Sequence, residues 1–285
     1  MSELFPNKRG EKISIFNSAT AVGRALAPFL GGYILFATDK SFFTLFASVG
    51  IAGVTAFVIA LLFLTERNRV STEPTRVEKP TRQMLSGWKT IAQNTMVLGV
   101  SFMQAVQYFV FGTVEFFLVG YLIEVVGLDL FSVGIITGSQ IAAIVIARPL
   151  IGRVSDRIGR GKPILAGTSA SCLFIAAVPF TTQFPLLLLL TIGYGIAFAA
   201  VVSSTSPLIA DLVPSSLVGA SLGFLSTMMD IGQTLGPIVG GLIFATSLRY
   251  LGLFLSLSVL LGFSVAVFLF TNRGHTSLEP QSIEQ

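Results

Sequence analysis

Charge, cysteine and histidine are all scarce in this chain of 285 residues. Only 11% of the residues are Asp, Glu, Lys or Arg, whereas 53% are hydrophobic. The single cysteine, Cys172, excludes an internal disulfide framework. The single histidine, His275, lies in a polar tail, and no residues show metal-ligand spacing, so neither a metal nor a cofactor is expected. No phosphate-cradling P-loop is present, which argues against ATP as an energy source read from this chain. Nothing supports soluble enzyme chemistry. A secretory signal is not expected, because Met1 to Lys12 is polar and the first apolar run is too long for a signal core.

What the chain does have is apolar length. Its mean hydropathy of +0.82 reflects repeated runs long enough to cross hydrocarbon, for which roughly 20 residues suffice. The pattern predicts an all-α, polytopic membrane helix bundle with eight spans, at about 13–37, 42–65, 96–124, 131–151, 163–181, 184–210, 217–246 and 249–271. TDKS at 38–41 and TTQFP at 181–185 read as turns. The one long break, Glu66 to Gln93, is polar and Pro-containing and reads as a linker between two bundles. Near its end Met84, Leu85, Trp88 and Ile91 fall at helical spacing, which predicts a short helix at the membrane interface. The tail from Arg273 onward is polar.

Basic residues orient the spans. With a cytoplasmic N-terminus, fourteen Lys and Arg fall inside, grouped before the first span, in the linker, at 153–162 and in the tail; Lys40 and Arg249 alone fall outside. That asymmetry satisfies the positive-inside rule and places both termini in the cytoplasm. The net charge of +4 thus calls for a lipid bilayer, not nucleic acid, as partner.

One cytoplasmic loop, GRVSDRIGRGK from Gly152 to Lys162, concentrates Arg153, Asp156, Arg157, Arg160 and Lys162. Gly152 and Gly159 permit a tight turn between helices, and Asp156 can cap a helix or pair with an arginine. Such a cluster can latch one conformation and release it in another. The alternative is a plain positive-inside anchor, which needs neither Asp156 nor the glycines. Asp211 is placed at the same face, able to pair with the arginines.

Two segments repeat each other. LFPNKRGEKISIFNSATAVGRALAPFLGGYILFAT from Leu4 aligns with LVPSSLVGASLGFLSTMMDIGQTLGPIVGGLIFAT from Leu212. Gly23 matches Gly232, Pro28 matches Pro237, and Gly31-Gly32 matches Gly240-Gly241. Gly232, Gly236 and Gly240 recur every four residues on one helix face, where small residues let backbones approach. Gly23, Ala27 and Gly31 are expected to form the same face in the first copy. Repeats in one orientation are a known build for membrane transport proteins.

These residues resemble the major facilitator superfamily of secondary transporters. GRVSDRIGRGK looks like its cytoplasmic signature, with Gly152, Asp156, Arg157, Gly159 and Arg160 in place and Lys162 one position late. GQTLGPIVGG and GRALAPFLGG look like its antiporter motif, Ala27 standing where Gly is usual. The resemblance implies residues 1–65 as the last two helices of an N-terminal half, 66–95 as the central cytoplasmic linker, 96–272 as a complete C-terminal six-helix bundle, and 273–285 as a cytoplasmic tail. Four preceding helices are then missing. It implies a proton-coupled exporter of small organic molecules working by alternating access in the cell membrane. Two other readings stand beside it: an uptake symporter for a small metabolite, and a truncated, non-transporting remnant or assembly partner.

Charges inside spans are costly and mark candidate sites. Ser101, Gln104, Gln107, Tyr108 and Glu115 fall within an arc of about 120° on one helix. A polar stripe of this kind should face a cavity or another helix, and the resemblance implies that this helix lines the central cavity. Glu115 could hold a proton, bind a cation, hydrogen-bond substrate, or tie two helices together. Asp230 and Gln233 share one face of the penultimate span, and Arg24 occupies the position equivalent to Gln233 in the other copy. Arg148, placed near the cytoplasmic end of its span, is expected to snorkel.

Overall fold

The computed structural model describes residues 9–63, 94–214 and 217–273. Among them eight α-helices follow one another without a strand. They are α1 (Arg9–Ala37), α2 (Phe42–Phe63), α3 (Thr95–Glu124), α4 (Leu130–Ile158), α5 (Gly161–Ala177), α6 (Phe184–Leu212), α7 (Val218–Phe244) and α8 (Arg249–Arg273), with a 3₁₀ turn at Val178–Phe180 after α5. The long linker, its expected interfacial helix and the tail beyond Arg273 lie outside the described residues.

Local chemistry sets several helix ends. The Asn94 side chain accepts hydrogen bonds from the backbone N–H of Met96 and Val97 at 3.1 and 3.3 Å, capping α3. Asp129 does the same for α4, accepting from the N–H of Phe131 and Ser132 and from the Ser132 hydroxyl. The Ser132 hydroxyl contributes most, and together these bonds hold the exposed Asp129 carboxyl below its ordinary value. Gly159, at φ 90°, ends α4 in a backbone conformation that other residues rarely adopt.

Among the described residues six helices are long and apolar enough to cross a membrane, namely α2, α3, α4, α5 with its 3₁₀ turn, α6 and α8. The expected count was eight. In α1 the described apolar stretch is Val22–Ala37; α7 falls short because glycines, Asp230 and Gln233 dilute its hydropathy. A second difference concerns α4, which runs to Ile158 and not to about 151. GRVSDRIGRGK is therefore the last two turns of α4, a short turn at Gly159 and Arg160, and the first residues of α5.

Helices α3 to α8 form one bundle, with α3 against α7 and α8, α4 against α6, and α5 between α6 and α8. Tyr121, Tyr194, Phe198 and Phe254 fill its centre. α1 lies along α4, and α2 packs mainly on α1. α2 remains apolar all round and exposed, as in Phe43 at 84% and Leu62 at 73%. In hydrocarbon such exposure carries no penalty, and helix association rests on close packing instead.

Glycine supplies that packing, on different faces in the two copies. In α7, a Cβ on Gly232 or Gly236 would strike the Ala105 or Phe109 carbonyl of α3, and one on Gly240 would lie 2.5 Å from Thr113 Cγ2. In α1 the expected face of Gly23, Ala27 and Gly31 is not the packed one. Nothing lies within 4 Å of a Cβ on Gly23, and one on Gly31 would be 3.8 Å from Leu45. Gly32 makes the contact instead, where a Cβ would sit 2.8 Å from the Leu130 carbonyl and 3.0 Å from Gly134 Cα. With Ala25 and Leu35 it forms the buried face of α1. The repeated motif is thus docked on α3 by one of its glycine faces and on α4 by the other.

Candidate functional site

At one end of the bundle the signature cluster is organised by Arg160. Its Nε lies 3.1 Å from Asp211 Oδ2 at the end of α6, and its Nη2 lies 3.6 Å from Asp156 Oδ1 on the last turn of α4. Arg160 is 25% exposed, whereas Asp156 and Asp211 are more than half exposed. The pairs join the α4–α5 turn to α6. All these elements belong to one bundle. Arg153, Arg157 and Lys162 point to solvent.

The polar stripe on α3 divides. Gln104 and Gln107 are buried between helices. Gln104 Oε1 accepts a hydrogen bond from the Thr205 hydroxyl of α6. Gln107 Nε2 donates to Thr168 Oγ1 at 3.3 Å and to Ser171 Oγ at 3.5 Å, both on α5. Ser101 is fully buried as well. Gln104 and Gln107 thus tie α3 to α6 and α5, the second of the two roles expected for the stripe, whereas the Ser101 hydroxyl has no hydrogen-bond partner. The stripe divides because several helices surround α3, so that an arc of about 120° spans more than one contact. Tyr108 and Glu115, seven residues apart, do line cavities.

Two cavities adjoin along the α3–α4 seam and share Phe111 and Ile141 as wall. The smaller, about 80 Å³, is bounded by Arg24 from α1, Tyr108 and Phe111 from α3, Ile141, Ile144, Val145 and Arg148 from α4, Phe198 from α6 and Gln233 from α7. Arg24 and Gln233, the equivalent positions of the repeat, therefore meet at one cavity. Tyr108 lies within electrostatic reach of Arg148, Arg24 and Asp230. The larger cavity, about 300 Å³, holds Glu115 among apolar residues of α1, α3 and α4, with Thr137 and Gln140 as further polar lining. The Tyr194 hydroxyl of α6 is buried without a hydrogen-bond partner. Among the described residues no His, Cys, Asp or Glu side chains converge as metal ligands would.

Arg148 stands ten residues before the end of α4, about 15 Å along the helix, and lines the smaller cavity. Thr137, Gln140 or Ile141, Ile144 and Arg148 follow one face of α4 at helical spacing. That periodicity lies within the span expected at 131–151 and was readable from the sequence.

Residues 1–138 and 100–285 match the family model of the Major Facilitator Superfamily. The chain belongs to the major facilitator superfamily. This makes it an integral, multi-pass membrane protein. Multidrug resistance protein MdtG of Proteus mirabilis (strain HI4320) is 33% identical over 98 residues, 34% of this chain and 24% of the relative. Multi-drug resistance efflux pump PmrA of Streptococcus pneumoniae is 32% identical over 95 residues, 33% of this chain and 24% of the relative. Quinolone resistance protein NorA of Staphylococcus aureus is 27% identical over 177 residues, 57% of this chain and 45% of the relative. This superfamily member thus spans from about a quarter to under half the length of these relatives. Among solved structures, a bacterial homologue of the human lysosomal transporter Spinster, in an inward-facing and unoccupied conformation, superposes with a TM-score of 0.74 at 16% identity. The match covers 94% of this chain and 71% of that one.

Proposed function

We propose that this superfamily member is a secondary active transporter, not an enzyme, that exports small amphipathic organic molecules in exchange for protons by alternating access. The observation that carries the reading is the meeting of Arg24 and Gln233 at one cavity. They are equivalent positions of an internal repeat, on helices that dock on opposite sides of the α3–α4 seam. Transport folds built from repeats hold cargo at the repeat interface. Glu115 is the proton carrier in this reading: it is the carboxyl that lines the adjoining cavity, where proton and cargo alternate. The names of MdtG, PmrA and NorA favour drug-like cargo and outward movement. Residues 1–65 and 96–272 act as the two moving bodies, joined by the linker at 66–95, and the Arg160 pairs act as a latch between the α4–α5 turn and α6 within the second body. Both termini face the cytoplasm of the cell membrane.

The test is transport by the purified chain in sealed vesicles loaded with a panel of fluorescent amphipathic dyes of either charge. An imposed pH gradient should drive dye movement opposite to proton flow. Movement with the proton flow would replace export by uptake. No gradient-dependent movement of any dye would reject the transport reading in favour of a non-transporting membrane protein.

A further inference from the structure

Arg24 and Arg148 bring two guanidinium groups to a cavity of about 80 Å³. Among the described residues neither has a carboxylate within 4.0 Å, the salt bridges present being those of Arg160. The Tyr108 hydroxyl, a neutral group, lies within electrostatic reach of Arg148. Two such charges at membrane depth are costly unless water or an anion answers them. Asp230, the acidic side chain in electrostatic reach of Tyr108, does not line the cavity. The space is too small for a whole drug-sized molecule, which needs roughly 300 Å³ or more. It suits a single charged group. The adjoining cavity of about 300 Å³ suits an apolar body, and stacked Phe111 and Phe198, with ring centroids 4.5 Å apart, border the smaller space.

We propose that the Arg24–Arg148 cavity binds an oxyanion, a carboxylate, phosphate or sulfonate, carried on the apolar body of the transported molecule. Guanidinium groups match such oxygens through paired, charge-assisted hydrogen bonds. Gln233, on the opposite side, adds an amide donor. This assignment rests on the transport reading only in taking the oxyanion to be part of the cargo.

The experiment measures binding without transport. Pyrenebutyrate and pyrenebutyltrimethylammonium share ring and spacer and differ in charge. Equilibrium dialysis against the full chain in lipid nanodiscs should show the carboxylate binding at least about tenfold more tightly, the scale of one charge-assisted hydrogen bond. Arg148→Gln and Arg24→Gln should each weaken carboxylate binding about tenfold and leave the ammonium probe unchanged or improved. Glutamine is already the counterpart of Arg24 in the repeat. Arg148→Lys, which keeps charge but loses the paired geometry, should fall between, and it carries the test if the glutamine variant does not fold. Equal affinity for the two probes, no binding of pyrenebutyrate, or a carboxylate affinity indifferent to both arginines would each overturn the proposal. Because dialysis reads only binding, a charge preference that survives in a chain unable to transport would reject the transport reading and leave this one standing.

Discussion

The guanidinium Nε of Arg160 lies 3.1 Å from the Asp211 carboxylate, closing the turn between α4 and α5 onto the end of α6. Both groups are partly solvated, so the pair contributes at most about 1 kcal/mol to stability. Asp211→Asn and Asp156→Asn should therefore shift thermal unfolding little. In the latch reading they should nevertheless change the rate of dye transport several-fold, because a conformational equilibrium responds to energies of that size. Transport rates equal to those of the unaltered chain would leave the cluster as a positive-inside anchor.

The α1–α4 contact has no room for a methyl group at its centre. Gly32→Ala would place a Cβ 2.8 Å from a backbone carbonyl, and backbone gives way less easily than side chains. A loss of about 1–3 kcal/mol is expected, read as earlier thermal unfolding in detergent. Gly23→Ala, with open space around it, should be neutral or slightly stabilising. Equal effects at the two positions would contradict the docking face assigned to α1.

Asp129 couples the start of α4 to pH. Its carboxyl is held low by the Ser132 hydroxyl and two backbone N–H groups, so its stabilising effect is present above the unfolded-state value near pH 4 and is lost as pH falls through the lower folded-state value. At neutral pH Asp129→Ala should cost about 1 kcal/mol. Unfolding curves of the two proteins should draw together below about pH 4. A difference that persists undiminished in acid would show that the charge plays no part in the cap.

Glu115→Gln preserves size and hydrogen bonding but cannot titrate. If Glu115 carries the coupled proton, this variant should retain dye binding and lose at least about 90% of pH-gradient-driven transport, in line with the tenfold or greater effect of removing a proton-transfer group. A variant that still transports with the gradient would return Glu115 to a packing role.

Topology is open to a direct check. Reporter domains fused after Thr38 and after Gln285 should report opposite sides of the membrane, as the distribution of Lys and Arg requires. The same side for both would refute the proposed orientation.

The family, the all-α membrane fold and the position of most helices were legible in the chain because each rests on local quantities. Apolar run length, capping residues such as Asn94 and glycine spacing within a helix need no knowledge of neighbours. Helix ends were less legible. Arg153, Asp156 and Arg157 looked like a loop because charge usually ends a span, yet α4 carries them on a helix that reaches Ile158.

The candidate site divides in the same way. By itself the sequence determined which polar residues enter spans, Glu115, Arg24, Asp230 and the α3 glutamines among them, since hydropathy is a property of each segment. Only the tertiary structure decided what each one meets. Gln104 and Gln107 were absorbed by Thr205, Thr168 and Ser171 from two other helices, while Tyr108 and Glu115 on the same helix opened onto cavities. It likewise decided that Gly32 rather than Gly31 touches α4. Side chains about 100° apart on one helix reach different neighbours, and which neighbour lies at each angle is set by contacts between residues far apart in the chain.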